Sequence, residues 1–281
     1  VGVVQVIDKD GEEFTDNDEA VLVQLAQLAS TELQNLRLYQ EQADLAETLQ
    51  RSLLPPRLPD TREFDVAAMY RPGTALDVGG DFYDFFRIGE GRWAAVIGDV
   101  CGKGPSAAAL TGLTRHTIRA AAVGVGEPEA VVRLLNDAIL RDQTNEFCTV
   151  AFASVARRGP GAEASVVCGG HLPPVVVRAD GSLEHLACTG ALLGVVDDPD
   201  PMEVTAALGP SDALVFYTDG ITEARMPREI FGEQRLFDLL ASCAGLDATT
   251  IVSRVGEELD WLTDESRRDD AAMLVVRVPP S

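Results

Sequence analysis

Asp81-Phe82-Tyr83-Asp84-Phe85-Phe86-Arg87, which follows Val78-Gly79-Gly80, and Arg92-Trp93-Ala94-Ala95-Val96-Ile97-Gly98-Asp99 are the stretches on which the fold is read. Both are strand-length runs of aromatic or small apolar residues, with an aspartate beside a glycine near one end. Runs of similar composition recur at 65–70, 147–156, 164–168, 175–178, 213–217 and 272–278. Helical patterns occupy 105–122, 128–141, 232–241 and 248–262. Strands come first, then a helical pair, then strands again. That order departs from strict β-α-β alternation and predicts an α+β sandwich of mostly antiparallel sheets, in one domain over 57–281. No internal repeat or low-complexity tract interrupts it.

Upstream, residues 1–7 are β-branched and alternating, which predicts a strand, and Asp8-Lys9-Asp10-Gly11 predicts a turn after it. One strand and a turn are too little for a domain, so they are expected to be the tail of something longer. Thr15-Asp16-Asn17-Asp18 has the form of a capping box with acids in the first turn. No Gly or Pro follows until Pro55-Pro56 end the pattern after Leu54. A helix over 16–54 would run on the order of 55–60 Å at about 1.5 Å per residue. Leu22, Ala29, Leu36 and Ala43 form one heptad series; Leu25, Tyr39, Ala46 and Leu53 form a second, broken at Glu32. The interleaved steps fit the a and d seam of a parallel dimer stalk. Leu28, Leu33, Leu45 and Leu49 lie off that seam, so packing against its own domain stays open as the alternative.

Composition narrows the function. The chain has 281 residues, enough for one large domain or two small ones at about 100–200 residues each. Hydrophobic residues make up 46%, which excludes wholesale disorder. Lys and Arg number 23 against 45 Asp and Glu, and 23 − 45 = −22. Such a surplus repels nucleic-acid phosphate and anionic lipid, so a general nucleic-acid or membrane-surface binder is excluded. The five cysteines, Cys101, Cys148, Cys168, Cys188 and Cys243, form no C-x-x-C pair and read as reduced core thiols. No apolar run approaches the roughly 20 residues of a membrane span, and no signal peptide is visible after Val1. A cytoplasmic, truncated chain is the expectation.

Four acidic sites share one local pattern. Asp81 follows Val78-Gly79-Gly80; Asp99 leads into Val100-Cys101-Gly102-Lys103-Gly104; Asp219 ends an apolar run and precedes Gly220; Asp269-Asp270 precede the last strand. Carboxylates at strand ends beside glycines sit at sheet rims, where carbonyls and water can also reach a cation. Oxygen donors without His suit hard Mg²⁺ or Mn²⁺ rather than zinc. Each aspartate alone reads equally as a turn residue. The glycines around Asp99 fit neither nucleotide-binding fingerprint. Two carboxylates about 4 Å apart repel by roughly 4 kcal/mol at an effective dielectric near 20. Four converging would need metal or protonation; spacing alone does not establish that they converge.

Several ordered motifs supply that premise by resemblance. Val78–Asp84, Gly98–Gly104, Gly170-His171-Leu172-Pro173-Pro174, Tyr217-Thr218-Asp219-Gly220-Ile221-Thr222-Glu223-Ala224 and Asp269-Asp270 resemble the SpoIIE/RsbU-type serine phosphatases, a bacterial branch of the metal-dependent (PPM, type 2C) protein phosphatases. Leu49-Gln50-Arg51-Ser52-Leu53-Leu54-Pro55 and Phe231-Gly232 extend the resemblance from about Leu49 to the C-terminus. It implies an αββα sandwich with two Mn²⁺ or Mg²⁺ ions at one end. Asp81, Asp99, Asp219 and Asp269 would be the ligands and so the catalytic residues, assisted by the Val100 carbonyl. Water activated between the ions would attack phosphoserine or phosphothreonine in line, with no covalent enzyme intermediate. Asp84 and Asp270 are further carboxylates that could reach the ions, directly or through water. Arg71 is expected to make a plain surface salt bridge, with phosphate orientation as the alternative.

By family, the implied substrate and partner is a phosphorylated anti-sigma-factor antagonist of the STAS type. Gly2-Val3-Val4-Gln5-Val6-Ile7 and Phe14-Thr15-Asp16-Asn17-Asp18 are similar to the end of a GAF sensor domain. Residues 1–15 would then be its last strand and 16–54 a linker that dimerises and sets the segment after Val100. Departures from the family pattern are Cys101 for a small residue, Ala272 for a frequent Thr, and Cys168-Gly169-Gly170-His171 for the common Ala-Gly-His form. Cys101 is expected to be a small buried hydrophobe, and His171 a turn residue rather than a general acid. The alternatives are a non-catalytic partner-binding scaffold and a phosphatase of small phosphoesters.

Overall fold

A computed structural model describes residues 2–8, 13–73, 78–142, 146–225, 230–262 and 269–280. The long helix α1 spans Asp16–Leu53 and opens on the expected capping box, in which the Thr15 hydroxyl and the Asp18 carboxylate each bond the other residue's backbone N–H. Leu54 is extended and ends the helix, as the residue before a proline must be. Along α1 only Ala46 and Gln50 are buried. Leu25, Leu28, Leu33, Leu36, Leu38 and Tyr39 are exposed, so packing against its own domain is confined to the last turns. There Ala46 and Leu53 meet Val78 and Ala108. Residues 2–8 form no strand: a ladder needs a neighbour, and none pairs with this segment among the described residues. Residues 9–11 of the expected turn lie outside the described residues.

Among the described residues, ten strands make two five-stranded antiparallel sheets. One has the order β1 (Asp65–Arg71), β10 (Ala271–Arg277), β9 (Ala213–Tyr217), β6 (Val175–Val177), β7 (Leu183–His185). The other runs β2 (Phe82–Gly89), β3 (Arg92–Val100), β4 (Cys148–Arg158), β5 (Gly161–Gly169), β8 (Glu203–Leu208). Successive side chains on a strand point to opposite faces. Trp93, Ala95 and Ile97 of β3 therefore face Leu274, Val276 and Phe216 in the core between the sheets. Ala94 and Val96 turn outward against α2 (Pro105–Gly124) and α3 (Pro128–Asp142). On the other side Met273 and Val275 of β10 pack under α5 (Glu233–Ser242) and α6 (Ala248–Leu262). The result is helix, sheet, sheet, helix, as the α+β reading anticipated. Burial on both faces explains why the central strands read as continuous apolar runs, each large side chain contributing about 1.5–3 kcal/mol.

The sequence pattern does not reveal the edge strands β7 and β8 or the one-turn helix α4 (Asp219–Thr222). Cys148, Cys168, Cys188 and Cys243 are buried free thiols, as expected, but Cys101 is exposed. It follows the last residue of β3, where the chain leaves the sheet for the Gly102–Gly104 turn. Among the described residues no helix is long and apolar enough to cross a membrane.

Candidate metal centre

The carboxylates meet where the two sheets end together. Asp99 is the penultimate residue of β3, Asp81 immediately precedes β2, Asp219 follows β9, and Asp269-Asp270 precede β10. Gly80, Asp81, Asp99, Val100, Gly102, Lys103, Asp219, Asp269 and Asp270 line one cavity of about 430 Å³, counted with its open mouth. Two glycines make the approach possible. A Cβ on Gly80 would collide with the Val100 carbonyl oxygen and lie 2.6 Å from Asp99 Oδ1; one on Gly79 would overlap the Asp270 carboxylate. The chain can pass this close only without side chains there.

Hydrogen bonds hold the carboxylates individually. Thr218 Oγ1 donates to Asp81 Oδ2 at 2.7 Å and accepts from the Ala272 N–H at 2.9 Å, fixing Asp81 from the opposite sheet. Asp270 accepts from Gly73 N–H (2.7 Å) and Gly80 N–H (3.1 Å), so both of its oxygens brace backbone. Asp269 is exposed and accepts from Lys103 Nζ at 2.8 Å. Gln50 of α1 accepts from Gly79 N–H at 2.7 Å, tying the long helix to the glycine pair.

The electrostatics are those of an anionic site short of cations. Burial first, and next the Asp99 charge, hold the Asp81 carboxyl well above the usual carboxylate range. Burial, then Asp219, lifts Asp99 to about 7. Asp219 and Asp270 are also raised, each chiefly by burial. Five carboxylates against one ammonium favour protonation or divalent cations. The donor set fits the latter: carboxylate oxygens and one backbone carbonyl, with no His or Cys on the cavity wall. Among the described residues no three acidic, His or Cys side chains already close on one point. Asp269 leans toward Lys103 and Asp81 toward Thr218, so the cavity presents ligands around open space.

Asp84 stands away from the cavity, and Arg71 makes the salt bridge expected of it. Asp84 does not line the cavity: with Phe82 and Phe86 it faces α2, fully buried, accepting from Arg115 Nε (3.0 Å), Arg119 Nε (2.6 Å) and Arg119 Nη2 (2.8 Å). The alternation of β2 puts it there, two residues from each phenylalanine. Arg71 lies in an adjoining cleft, paired with Asp260 on α6. His171 is buried, its Nδ1 2.7 Å from Thr149 Oγ1, and burial pulls it down to about 4, the wrong direction for an acid at neutral pH. Sequence reading missed the roles of Thr218, Lys103 and Gln50. All three stood inside quoted motifs, but their partners are far away in sequence.

Comparison with known proteins identifies the family of the chain. The family model described as Stage II sporulation protein E (SpoIIE) matches residues 89–279. Protein IcfG of Synechocystis sp. is 31% identical over 260 residues, covering 81% of this chain and 40% of that protein. Phosphoserine phosphatase RsbU of Bacillus subtilis is 25% identical over 256 residues, covering 89% of this chain and 75% of that protein. The chain thus spans well under half of the first relative. Among solved structures, the SiaA-PP2C domain of Pseudomonas aeruginosa superposes with a TM-score of 0.74 at 22% identity, covering 86% of this chain and 98% of that one. At that identity the likeness speaks for the fold.

Proposed function

Because the chain belongs to the SpoIIE family, we propose that it is a metal-dependent protein phosphatase acting on phosphoserine or phosphothreonine. The observation that carries this reading is the gathering of Asp81, Asp99, Asp219 and Asp269 from two sheets around one cavity, with the Val100 carbonyl against Gly80. These residues would hold two Mn²⁺ or Mg²⁺ ions, which supply the Lewis acidity that lowers the pKa of water and offsets phosphoryl charge.

The chain's own residues do the positioning. Thr218 fixes one oxygen of Asp81 and leaves the other for ligation. Asp270, committed to the Gly73 and Gly80 N–H groups, braces the residue next to Asp81. Lys103 keeps an ammonium on the rim, where it offsets Asp269 and attracts a phosphate dianion.

The substrate we infer is a phosphorylated STAS-type anti-sigma-factor antagonist, a reading supported by the family and by a relative named a phosphoserine phosphatase. Residues 1–15 are read as the end of a GAF-like domain, 16–54 as a linker pairing two chains in parallel, and 57–281 as the phosphatase domain, in the cytoplasm. The exposed leucines of α1 support pairing, and the Gln50–Gly79 bond gives the linker a route to the cavity. The test is phosphate release from a phosphorylated antagonist with Mn²⁺, with EDTA, and by Asp99→Asn. Release only in the first is expected; equal rates in all three would overturn the reading.

A further inference from the structure

Tyr70 brings a buried phenol close to the carboxylates without lining their cavity. It is the penultimate residue of β1 and pairs across the ladder with Ala272 of β10. Cross-strand partners share one face of a sheet. Both side chains accordingly join the core between the sheets, at the end where the carboxylates gather. The ring is partly buried against that core, whereas the hydroxyl oxygen is fully buried and has no hydrogen-bond partner among the described residues.

A buried tyrosine hydroxyl ordinarily finds a partner, and an orphan calls for a reason. Ala272 cannot supply one. Its side chain is a methyl group, its N–H donates to Thr218 Oγ1, and its carbonyl accepts from the Thr218 N–H at 3.1 Å. What surrounds the hydroxyl is carboxylate. Burial first, then the charges of Asp270 and Asp81, with Asp99 behind them, hold the phenol proton far above its usual range. Tyr70 is therefore a permanent donor beside the aspartates of the cavity wall. Asp270 acts on it as an acceptor as well as a charge. Asp270 Oδ1 already accepts from the Gly73 N–H and Oδ2 from the Gly80 N–H. A carboxylate offers about four lone-pair sites, so acceptor capacity remains.

The cavity is poised for a rearrangement that Tyr70 would feel. Asp269 leans toward Lys103 and Asp81 toward Thr218, and among the described residues no three such side chains close on one point. Asp269 Oδ1 also accepts from the Asp270 N–H at 3.0 Å. Drawing Asp269 onto a cation would loosen that bond and shift its neighbour Asp270. We propose that Tyr70 is a positioning residue of the metal centre, its hydroxyl bonding the Asp270 carboxylate when cations take up Asp269. The proposal rests on the metal-dependent phosphatase reading and adds to it a source of cation affinity. The hydroxyl lacks a partner without cations and gains one with them, so its contribution falls on metal binding and not on the fold.

Tyr70→Phe keeps the ring and removes the hydroxyl. Mn²⁺ binding to the full chain is followed by calorimetry, and thermal unfolding is measured with EDTA and with saturating Mn²⁺. The Tm in EDTA should stay at or above that of the parent, because the variant loses only an orphan. Mn²⁺ affinity should fall about tenfold, the scale of one hydrogen bond to a charged group, and the Tm gain on adding Mn²⁺ should shrink. Unchanged Mn²⁺ affinity would overturn the proposal, whether Tm holds or falls equally in both conditions. A parent that binds no Mn²⁺ would overturn the metal centre and this role with it. Tenfold weaker binding in the variant, from a parent that binds Mn²⁺ but hydrolyses no phosphoserine, would uphold Tyr70 and defeat the phosphatase reading instead.

Discussion

Thr218 Oγ1 and Asp81 Oδ2 stand 2.7 Å apart across the boundary between the two sheets. The bond joins a residue at the end of β9 to one at the start of β2, so the separation of the sheets at this end sets the aim of Asp81. Thr218→Val keeps the shape and removes the donor. A buried carboxylate left without its partner costs about 1–3 kcal/mol, a loss readable by denaturant unfolding. Half-saturation by Mn²⁺ is expected to rise several-fold, with Thr218→Ser near the parent.

The metal-free chain is expected to lose stability as pH rises. Asp99 is lifted to about 7, and Asp81 is raised as well, both first by burial. Below the unfolded value near 3.8 the groups are protonated in both states; between there and about 7 the folded state holds the extra proton. Stability therefore declines across that window. Thermal unfolding with EDTA should show a lower Tm at pH 8 than at pH 5, and Mn²⁺ should reduce the difference. A metal-free Tm that rises over this range would contradict the assigned burial.

Asp84→Ala separates a structural carboxylate from a ligand. Removing it leaves the buried Arg115 guanidinium without its carboxylate, a change that costs about 3–5 kcal/mol for a broken buried pair. Calorimetric Mn²⁺ binding to the folded variant should nevertheless keep its stoichiometry. Loss of one ion would return Asp84 to the metal centre.

Gln50→Ala frees the buried Gly79 N–H from its acceptor. A stability loss of about 1–3 kcal/mol is expected, with weaker Mn²⁺ activation, since Gly79 and Gly80 set the distance between Asp270, Asp99 and Val100. Gln50→Glu preserves an acceptor and should recover most of the stability. Activation unchanged in both variants would disconnect the helix from the cavity.

The central strands were legible because their apolar residues run unbroken, and they do so because β3, β4, β9 and β10 are covered on both faces. β8 was not legible: its pattern Glu203-Val204-Thr205-Ala206-Ala207-Leu208 buries only Ala206 and Leu208, as an edge strand does. The ligand aspartates were found through their glycines and a family resemblance. Thr218 and Lys103 lie 137 and 166 residues from the carboxylates they bond, a relation local pattern does not carry. Proximity to Asp81 suggests Asp84 as a neighbour of the ions, whereas two-residue alternation with Phe82 and Phe86 points it toward the helices. By type Cys101 reads as a core residue; its position just past β3 leaves it in solvent.

The rod formed by α1 has a practical consequence for anyone weighing this molecule. A 38-residue helix is about 57 Å long at about 1.5 Å per residue, and most of it projects beyond the sandwich. Such a shape drags through solvent far more than a sphere of equal mass. Even a single chain should therefore leave a sizing column early, at a position easily taken for a dimer. Light scattering or sedimentation equilibrium, which read mass without shape, is the appropriate test of pairing: about 30 kDa for one chain and about 60 kDa for two.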